Sequence, residues 1–464
     1  MSEIPTTNSN TQTSKTSKRR TAITSEPIGS TLFNLTMPML FALLALMSLG
    51  LIDSYFISYL GTDQLAAIGF IMPINFIVTS VALGLGMAIS SLTSKLIGAN
   101  QMGRAARLIT DGFYITTACA LLVMLLLTLQ LENVFMLVGA DQQTMPHIMD
   151  YMLVWVLGTV LIMLTQVCSS TFRAIGDTKT SAVIAVSMTV TNLVLDPLLI
   201  FGIGPFPELG MKGAALATVL AVVVACAIGF YHLGIKARLL LFTLPQLNTF
   251  KQNVGALMAI AVPAILANAI VPISAAVLTR IVAKFGNDAV AGFGVGARIE
   301  SVSLIIVYAL SATLPMFIGQ NLGAQKPQRV LAALTVSFKF VLLIQLVTYA
   351  TLSIFAEPIS NLFSDSSTVQ ETIRWFLWIV PISYGLAGIV ILINVSMNVL
   401  GKPKIALYIN ILKLCLFYFP IAYLGSQLFD IKGFFIGIAL ANLATFILAM
   451  WLLKNVLSTL NIRP

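Results

Sequence analysis

Residues 60–69 read LGTDQLAAIG and residues 285–294 read FGNDAVAGFG, so two glycines and the aspartate of the first stretch recur in the second, 225 residues later. The same spacing holds over most of the chain. It pairs Pro38 with Pro263, Gly98-Ala99 with Gly323-Ala324, and Gly176 with Gly401. An internal repeat that never drifts indicates that the chain folds as two copies of one structural unit.

The composition places this repeated unit in a membrane. Of the 464 residues, 58% are hydrophobic and 9% are charged, against about 25% charged residues in a soluble domain. The mean hydropathy is +0.96. A helix needs roughly 20 apolar residues to cross about 30 Å of hydrocarbon, and twelve stretches meet that need. They lie near 33–59, 65–97, 108–129, 149–171, 181–203, 213–232, 254–283, 289–319, 331–355, 373–398, 405–425 and 434–453.

Six spans in each half set the topology. Because six is even, both halves cross the membrane in the same direction, which makes the repeat parallel rather than inverted. We therefore predict an all-α polytopic membrane protein with twelve transmembrane helices in two parallel-repeat six-helix lobes. The predicted segments are a disordered cytoplasmic tail at 1–30, an N-terminal lobe at 31–232, a cytoplasmic connector at 233–253, a C-terminal lobe at 254–455 and a cytoplasmic tail at 456–464.

The basic residues orient the chain and exclude several classes of function. Most of the 26 lysines and arginines lie in the two tails and in loops on one side of the membrane, so the positive-inside rule predicts that both termini are cytoplasmic. This bias explains the net charge of +9, and we expect no nucleic-acid partner. The sequence contains no GxxxxGK[ST] run, nucleophile triad or metal-ligand cluster, which argues against an ATP-driven pump and against an enzyme.

The acids inside the spans do not follow the repeat. Asp53 falls opposite Leu278, and Asp196 has no carboxylate counterpart. Each lies roughly 9 Å from the outer end of its span, so the two carboxyl groups could meet in the first lobe, where no basic residue offsets them. Asn192 precedes Asp196 by four residues and projects from the same helix face. The group predicts a proton relay or a small hard-cation site, or else acids that only fix packing.

Two further features of the spans leave alternatives open. Pro38 shares a helix with Asp53 and predicts a kink, which either responds to the charge of the acid or is static. In the second lobe, Glu300 and Lys413 lie near mid-membrane and suggest an ion pair, while Arg298 is two residues from Glu300 and faces elsewhere. This C-lobe polar cluster is either structural or part of the substrate path.

Taken together, these motifs resemble the multidrug and toxic compound extrusion family, the MATE transporters, over about residues 30–455. The motifs are Pro38 with Asp53, LGTDQLAA at 60–67, FRAIGDTK at 172–179, NLVLDP at 192–197, RIES at 298–301 and GQNLGA at 319–324. The resemblance implies a V-shaped pair of six-helix lobes that alternates between outward- and inward-facing states. It also implies export of organic cations and other amphipathic compounds in exchange for H⁺ or Na⁺.

The resemblance assigns roles to particular residues. Asp53 matches the family's acid in span 1, and Asn192 and Asp196 match its pair in span 5. Tyr151 in span 4 and Thr218 in span 6 look like further members of this coupling-ion site. The sodium-coupled branch carries acids in spans 7 and 10, and this chain has none there, with Val271 at the position of the span 7 acid. That departure favours a first-lobe arrangement like that of the DinF branch.

The leading functional hypothesis is a secondary active multidrug efflux antiporter that exports organic cations and amphipathic drugs in exchange for H⁺. The alternatives are a Na⁺-coupled antiporter of the same fold, a lipid-linked saccharide flippase, and a passive channel or structural membrane protein. A flippase predicts an arginine-rich cavity for pyrophosphate, which this chain lacks. We expect no cofactor and no metal beyond Na⁺ as a coupling ion. The expected setting is a monomer in a bacterial inner membrane, with small-molecule drugs and H⁺ or Na⁺ as partners.

Overall fold

The computed structural model describes residues 19–241 and 246–460, and all regular secondary structure in these ranges is helical. Long apolar stretches form helices here because a helix satisfies its backbone hydrogen bonds internally, which hydrocarbon requires. The first helices are α1 (Ile28–Ser58), α2 (Thr62–Gly98), α3 (Met102–Val138), α4 (Met145–Ala174), α5 (Thr178–Ile200), α6 (Gly210–Phe230) and α7 (Leu247–Val282). The others are α8 (Asn287–Ser303), α9 (Ile305–Gly323), α10 (Pro327–Ile354), α11 (Ala356–Phe363), α12 (Ser367–Ile379), α13 (Tyr384–Val399), α14 (Pro403–Leu412) and α15 (Phe419–Thr459).

Eleven helical stretches of the described residues are long and apolar enough to cross a membrane. The count is one below the predicted twelve because the last stretch, Pro403–Thr459, contains two predicted spans. Phe429 and Asp430 leave helical geometry between those spans, with φ +51° at Asp430. A side chain on Gly433 would collide with the backbone of Gly425, so the two arms pack closely as a hairpin. The predicted all-α polytopic fold class is confirmed.

Predicted span 8 is two helices rather than one. α8 ends at Ser303 and α9 begins at Ile305, with Leu304 between them at φ −90° and ψ 2°. The break frees backbone groups that would otherwise bond within the helix. The side-chain amide of Gln345, on α10, donates to the Ser303 carbonyl at 2.9 Å and replaces one of those lost bonds.

The chain divides into two compact units. The first contains the described residues up to Glu26 and Phe33–Ile265, and the second contains Pro27–Leu32 and the described residues from Leu266. The division therefore lies inside α7, between Ile265 and Leu266, and not at the predicted connector 233–253. The reason is that the first half of α7 carries apolar residues into the core of the first unit, where Leu257, Ile260 and Ala261 are buried.

The connector is anchored to the first unit on both sides of residues 242–245, which lie outside the described residues. The Leu241 amide donates to Thr110 Oγ1 at 2.9 Å, and Asn253 Nδ2 donates to Asp111 Oδ2 at 2.7 Å. Asp111 also pairs with Arg107 at 2.9 Å. Thr110, Asp111 and Arg107 all lie on α3, so this helix holds the connector on both sides of residues 242–245.

The N-terminal prediction needs a correction. Residues 19–25 are helical and α1 begins at Ile28, so the predicted disorder of 1–30 is wrong for these residues, while 1–18 lie outside the described ranges. Ile23 is 2% exposed, and Arg19 pairs with Asp177 at 2.8 Å. A polar average over the segment hides this single buried isoleucine. At the other end, the tail predicted from residue 456 is helical through Thr459.

Candidate functional site

Five side chains from four helices of the first unit form one polar cluster, which we call the acid cluster. α1 supplies Asp53, α4 supplies Tyr151, α5 supplies Asn192 and Asp196, and α6 supplies Thr218. Asn192 and Asp196 are fully buried, because their spacing of four residues turns both toward the interior of the unit. Small residues bring the helices together, since a side chain on Gly213 of α6 would collide with the backbone of Leu199 on α5.

Hydrogen bonds order the acid cluster around Asn192. Its Nδ2 atom donates to Asp196 Oδ1 at 3.1 Å and lies 3.4 Å from Thr218 Oγ1. The Thr218 hydroxyl in turn donates to the Ala214 carbonyl at 3.1 Å. Asp53 lies against Asp196 and Asn192, and Tyr151 lies against Thr218. The structure therefore brings together all five residues that the sequence analysis assigned to the coupling site.

Three oxygen atoms of the acid cluster have no hydrogen-bond donor. They are Asp53 Oδ1, Asn192 Oδ1 and Asp196 Oδ2, all buried and unpartnered among the residues that the structure describes. Buried polar atoms in proteins are nearly always hydrogen-bonded. Three adjacent acceptors without a donor mark a place for a proton or a small cation.

Within residues 19–241 and 246–460, no basic side chain forms an ion pair with these acids. The ion pairs of the described residues are Arg19–Asp177, Arg107–Asp111 and Lys212–Asp150, and none of them includes a member of the acid cluster. Two carboxylates side by side in a low-dielectric interior cannot both stay ionised without a counter-ion. The chemistry that this arrangement supports is the uptake and release of a positive charge.

The predicted ion pair of the second unit is wrong. Glu300 lies near enough to Lys413 to interact electrostatically, but the two side chains do not form an ion pair within 4 Å among the described residues. Lys413 begins a π-helix, Lys413–Tyr418, which has a wider turn than an α-helix. Its Nζ atom lies 4.7 Å from the Tyr418 ring centroid. Arg298 is exposed.

Around Glu300 and Lys413 lie polar residues that sequence reasoning missed. Tyr418 donates its hydroxyl to Asn442 Oδ1 at 2.7 Å, and Asn442 Nδ2 donates to Ser383 Oγ at 2.9 Å. The Tyr384 hydroxyl is buried without a partner in the described part of the chain. A search for charged residues overlooks these groups because they are neutral. Asn442 inside an otherwise apolar span was the signal that could have found them.

Comparison with known proteins adds what geometry alone does not give. The model of the family described as MatE matches twice, at residues 38–198 and 263–424, and the two matches begin 225 residues apart, as the internal repeat does. The chain belongs to the MatE family. It is a multi-pass membrane transporter, not an enzyme, and the resemblance seen in its motifs is confirmed.

Relatives with different cargoes share this MatE fold. The chain is 38% identical to the FAD transporter of Shewanella oneidensis, over 95% of this chain and 97% of that one. It is 22% identical to the multidrug export protein MepA of Staphylococcus aureus, over 88% and 89%. The MATE transporter VcmN of Vibrio cholerae, solved in a bent form, has a TM-score of 0.89 at 33% identity, covering 97% of this chain and 99% of that one.

Proposed function

We propose that this MatE transporter exports its cargo in exchange for protons, and that Asp53 and Asp196 share the coupling proton. The three donor-less oxygens of the acid cluster carry this proposal. A proton on one carboxyl group supplies a missing donor and removes the repulsion between the two acids. Asn192 keeps Asp196 in place by donating to its other oxygen, so the proton is taken up in a fixed geometry.

The proton links separate helices. Asp53 belongs to α1, whereas Asn192 and Asp196 belong to α5. Protonation lets the two carboxyl groups attract each other, and deprotonation leaves like charges that push α1 away from α5. Pro38 lies inside α1 and removes one of its backbone hydrogen bonds, which makes this helix easier to bend. The charge state of the acid cluster therefore selects between two arrangements of α1.

We propose a flavin dinucleotide, FAD or a close analogue, as the cargo. The FAD transporter of Shewanella oneidensis supports this assignment, because it is 38% identical to this chain over nearly its whole length. The multidrug export protein MepA is only 22% identical. In this reading the acid cluster handles the proton, and the cargo itself, which carries two phosphates, is bound by other residues.

The second candidate cargo is an amphipathic organic cation. One feature favours it: Asp53 and Asp196 form no ion pair with a base among the described residues, so they can attract a cation. The similarity to the multidrug export protein MepA also supports it. A cation and a proton would then compete for Asp53 and Asp196, and this competition would itself couple their movements in opposite directions.

A site built only of oxygen atoms also suits Na⁺, so Na⁺ remains the alternative coupling ion.

The test uses the purified chain in proteoliposomes, with H⁺ and Na⁺ gradients imposed separately and FAD or ethidium as cargo. We expect transport of FAD under a pH gradient alone. Transport that requires Na⁺ and ignores the pH gradient would contradict proton coupling. Transport of ethidium but not of FAD would contradict the cargo assignment and favour the second candidate.

The proposed setting is a bacterial inner membrane, with a monomeric chain and both termini in the cytoplasm. The excess of basic residues in the tails supports this orientation. Fusion of a reporter active only in the cytoplasm to either terminus checks it, and an inactive reporter at both ends would reverse the orientation.

A further inference from the structure

Lys413 is a cation inside a predicted span, and no carboxylate of the described residues forms an ion pair with it. It follows the ten-residue helix α14, which places it about 15 Å from the start of that helix. The ion pairs of residues 19–241 and 246–460 all lie elsewhere, and the Lys413 Nζ atom lies over the Tyr418 ring, 4.7 Å from its centroid. A membrane-embedded cation faces water, a counter-charge or a substrate path.

The charge of the second unit is opposite in sign to that of the acid cluster. Its predicted spans contain one acid, Glu300, and five cations, Arg280, Arg298, Lys339, Arg374 and Lys413. Glu300 attracts Lys413 without touching it, and Arg298 is exposed. These spans therefore carry more positive than negative charge, so the second unit attracts an anion where the first unit attracts a cation.

Hydroxyl and aromatic groups accompany Lys413. The Tyr384 side chain is 0% exposed, yet its hydroxyl has no partner among the described residues. Tyr308 lies near Glu300 and Tyr418, and 40% of its surface is exposed. The neighbourhood thus offers an ammonium group, an unused hydroxyl and an open aromatic face. An anion that carries a flat ring system matches this set of groups.

We propose that Lys413 binds a phosphate group of the cargo and that the exposed ring of Tyr308 stacks on one of its ring systems. The Lys413 ammonium carries three donors and no acceptor, which suits phosphate oxygens. This inference rests on the proposed export of a flavin dinucleotide and deepens it, since it assigns the phosphate-binding residue to the second unit.

The test compares three flavins that differ in phosphate content. Wild type, Lys413→Gln, Lys413→Arg and the control Lys339→Gln are purified as full chains, and pH-driven transport of FAD, FMN and riboflavin into proteoliposomes is followed by flavin fluorescence. Lys339 is a matched control because it is an exposed lysine of the same unit. We expect Lys413→Gln to lower FAD and FMN transport about tenfold or more, since a hydrogen bond to a charged group is lost, and to change riboflavin transport less than about twofold. Lys413→Arg should keep most of the activity.

Each other result has a definite meaning. Equal loss of all three flavins in Lys413→Gln would show a structural role and overturn the inference, and so would unchanged FAD transport. A wild type that moves none of the phosphorylated flavins would overturn the proposed cargo together with the inference. A competition experiment on the wild-type chain tests the same inference even if the Lys413 variants misfold. Pyrophosphate should displace FAD from the wild-type chain but not riboflavin, and displacement of neither would also overturn the inference.

Discussion

The side-chain amide of Asn192 donates to Asp196 Oδ1 at 3.1 Å, one helical turn along α5, while Asp196 Oδ2 and Asn192 Oδ1 are buried without a donor in the described part of the chain. This pair fixes one oxygen of the acid and leaves the other free. An acid that is held in place but incompletely satisfied is suited to exchanging a proton, because the proton completes its hydrogen bonds at no cost in rearrangement.

Removal of the amide should therefore damage coupling more than folding. In Asn192→Ala, Asp196 loses its donor and Thr218 loses its neighbour on α5. A buried hydrogen bond to a charged group is worth about 1.5–3 kcal/mol, so we expect pH-driven transport to fall roughly tenfold or more. The assay is initial transport rate in proteoliposomes. Asn192→Asp adds a third acid and should fare no better. A variant with wild-type rates would contradict the role of this residue.

The contact of the N-terminal segment should contribute little to stability. Arg19 pairs with Asp177, and the arginine side chain is 41% exposed, so the pair is worth at most about 1 kcal/mol. Asp177 has a second role, since it accepts from the Thr180 amide at 3.3 Å and caps α5. Loss of a cap costs about 1 kcal/mol in addition. We expect Asp177→Ala to lower the melting temperature in detergent more than Arg19→Ala. Equal or reversed effects would contradict the capping role.

Close packing of the last two spans depends on glycine. A side chain on Gly433 would collide with the Gly425 backbone, and overpacking of this kind costs about 1–3 kcal/mol. We expect Gly433→Ala to reduce the melting temperature and the yield of folded protein. Gly255→Ala is the matched control, because a side chain at Gly255 would meet nothing within 4 Å. Similar behaviour of the two variants would argue against a tight hairpin.

An acid outside the spans makes stability depend on pH. Hydrogen bonds from the Thr144 hydroxyl and the Thr144 amide lower the pKa of Asp141 below its usual value. A lowered folded-state pKa means that the stabilisation is present above the unfolded-state pKa and is lost as pH falls through the folded-state value. We expect Asp141→Asn to be less stable than wild type near neutral pH and to approach it in acid. A constant difference across pH in thermal melts would contradict this prediction.

The fold was predictable from the sequence because the length of the hydrophobic runs and the fixed repeat spacing do not depend on how side chains pack. It also predicted the acid cluster, since Asn192 and Asp196 are one turn apart and Asp53 lies at a matching depth. It failed where the backbone departs from a regular helix. The π-helix at Lys413 and the break at Leu304 have no signature in hydropathy, and the predicted Glu300–Lys413 ion pair does not form among the described residues.

The same limit applies to the ends of the lobes. The connector is basic and contains Pro245, which suggests a boundary, but the apolar face of α7 extends the first unit to Ile265. Nor can composition reveal that Ile23 is buried, because one apolar residue barely changes the average of a polar segment. Both the unit boundary inside α7 and the burial of Ile23 depend on contacts between residues that are distant in sequence.

The most direct test of the proton-coupling claim records the internal pH of proteoliposomes while a FAD gradient alone drives transport. In the wild type we expect protons to move against the direction of FAD, and in the double variant Asp53→Asn, Asp196→Asn we expect this proton movement to vanish. Correct folding of the variant is checked by its elution profile and melting temperature. Proton movement that persists unchanged in the double variant would contradict the assignment of the coupling proton to Asp53 and Asp196.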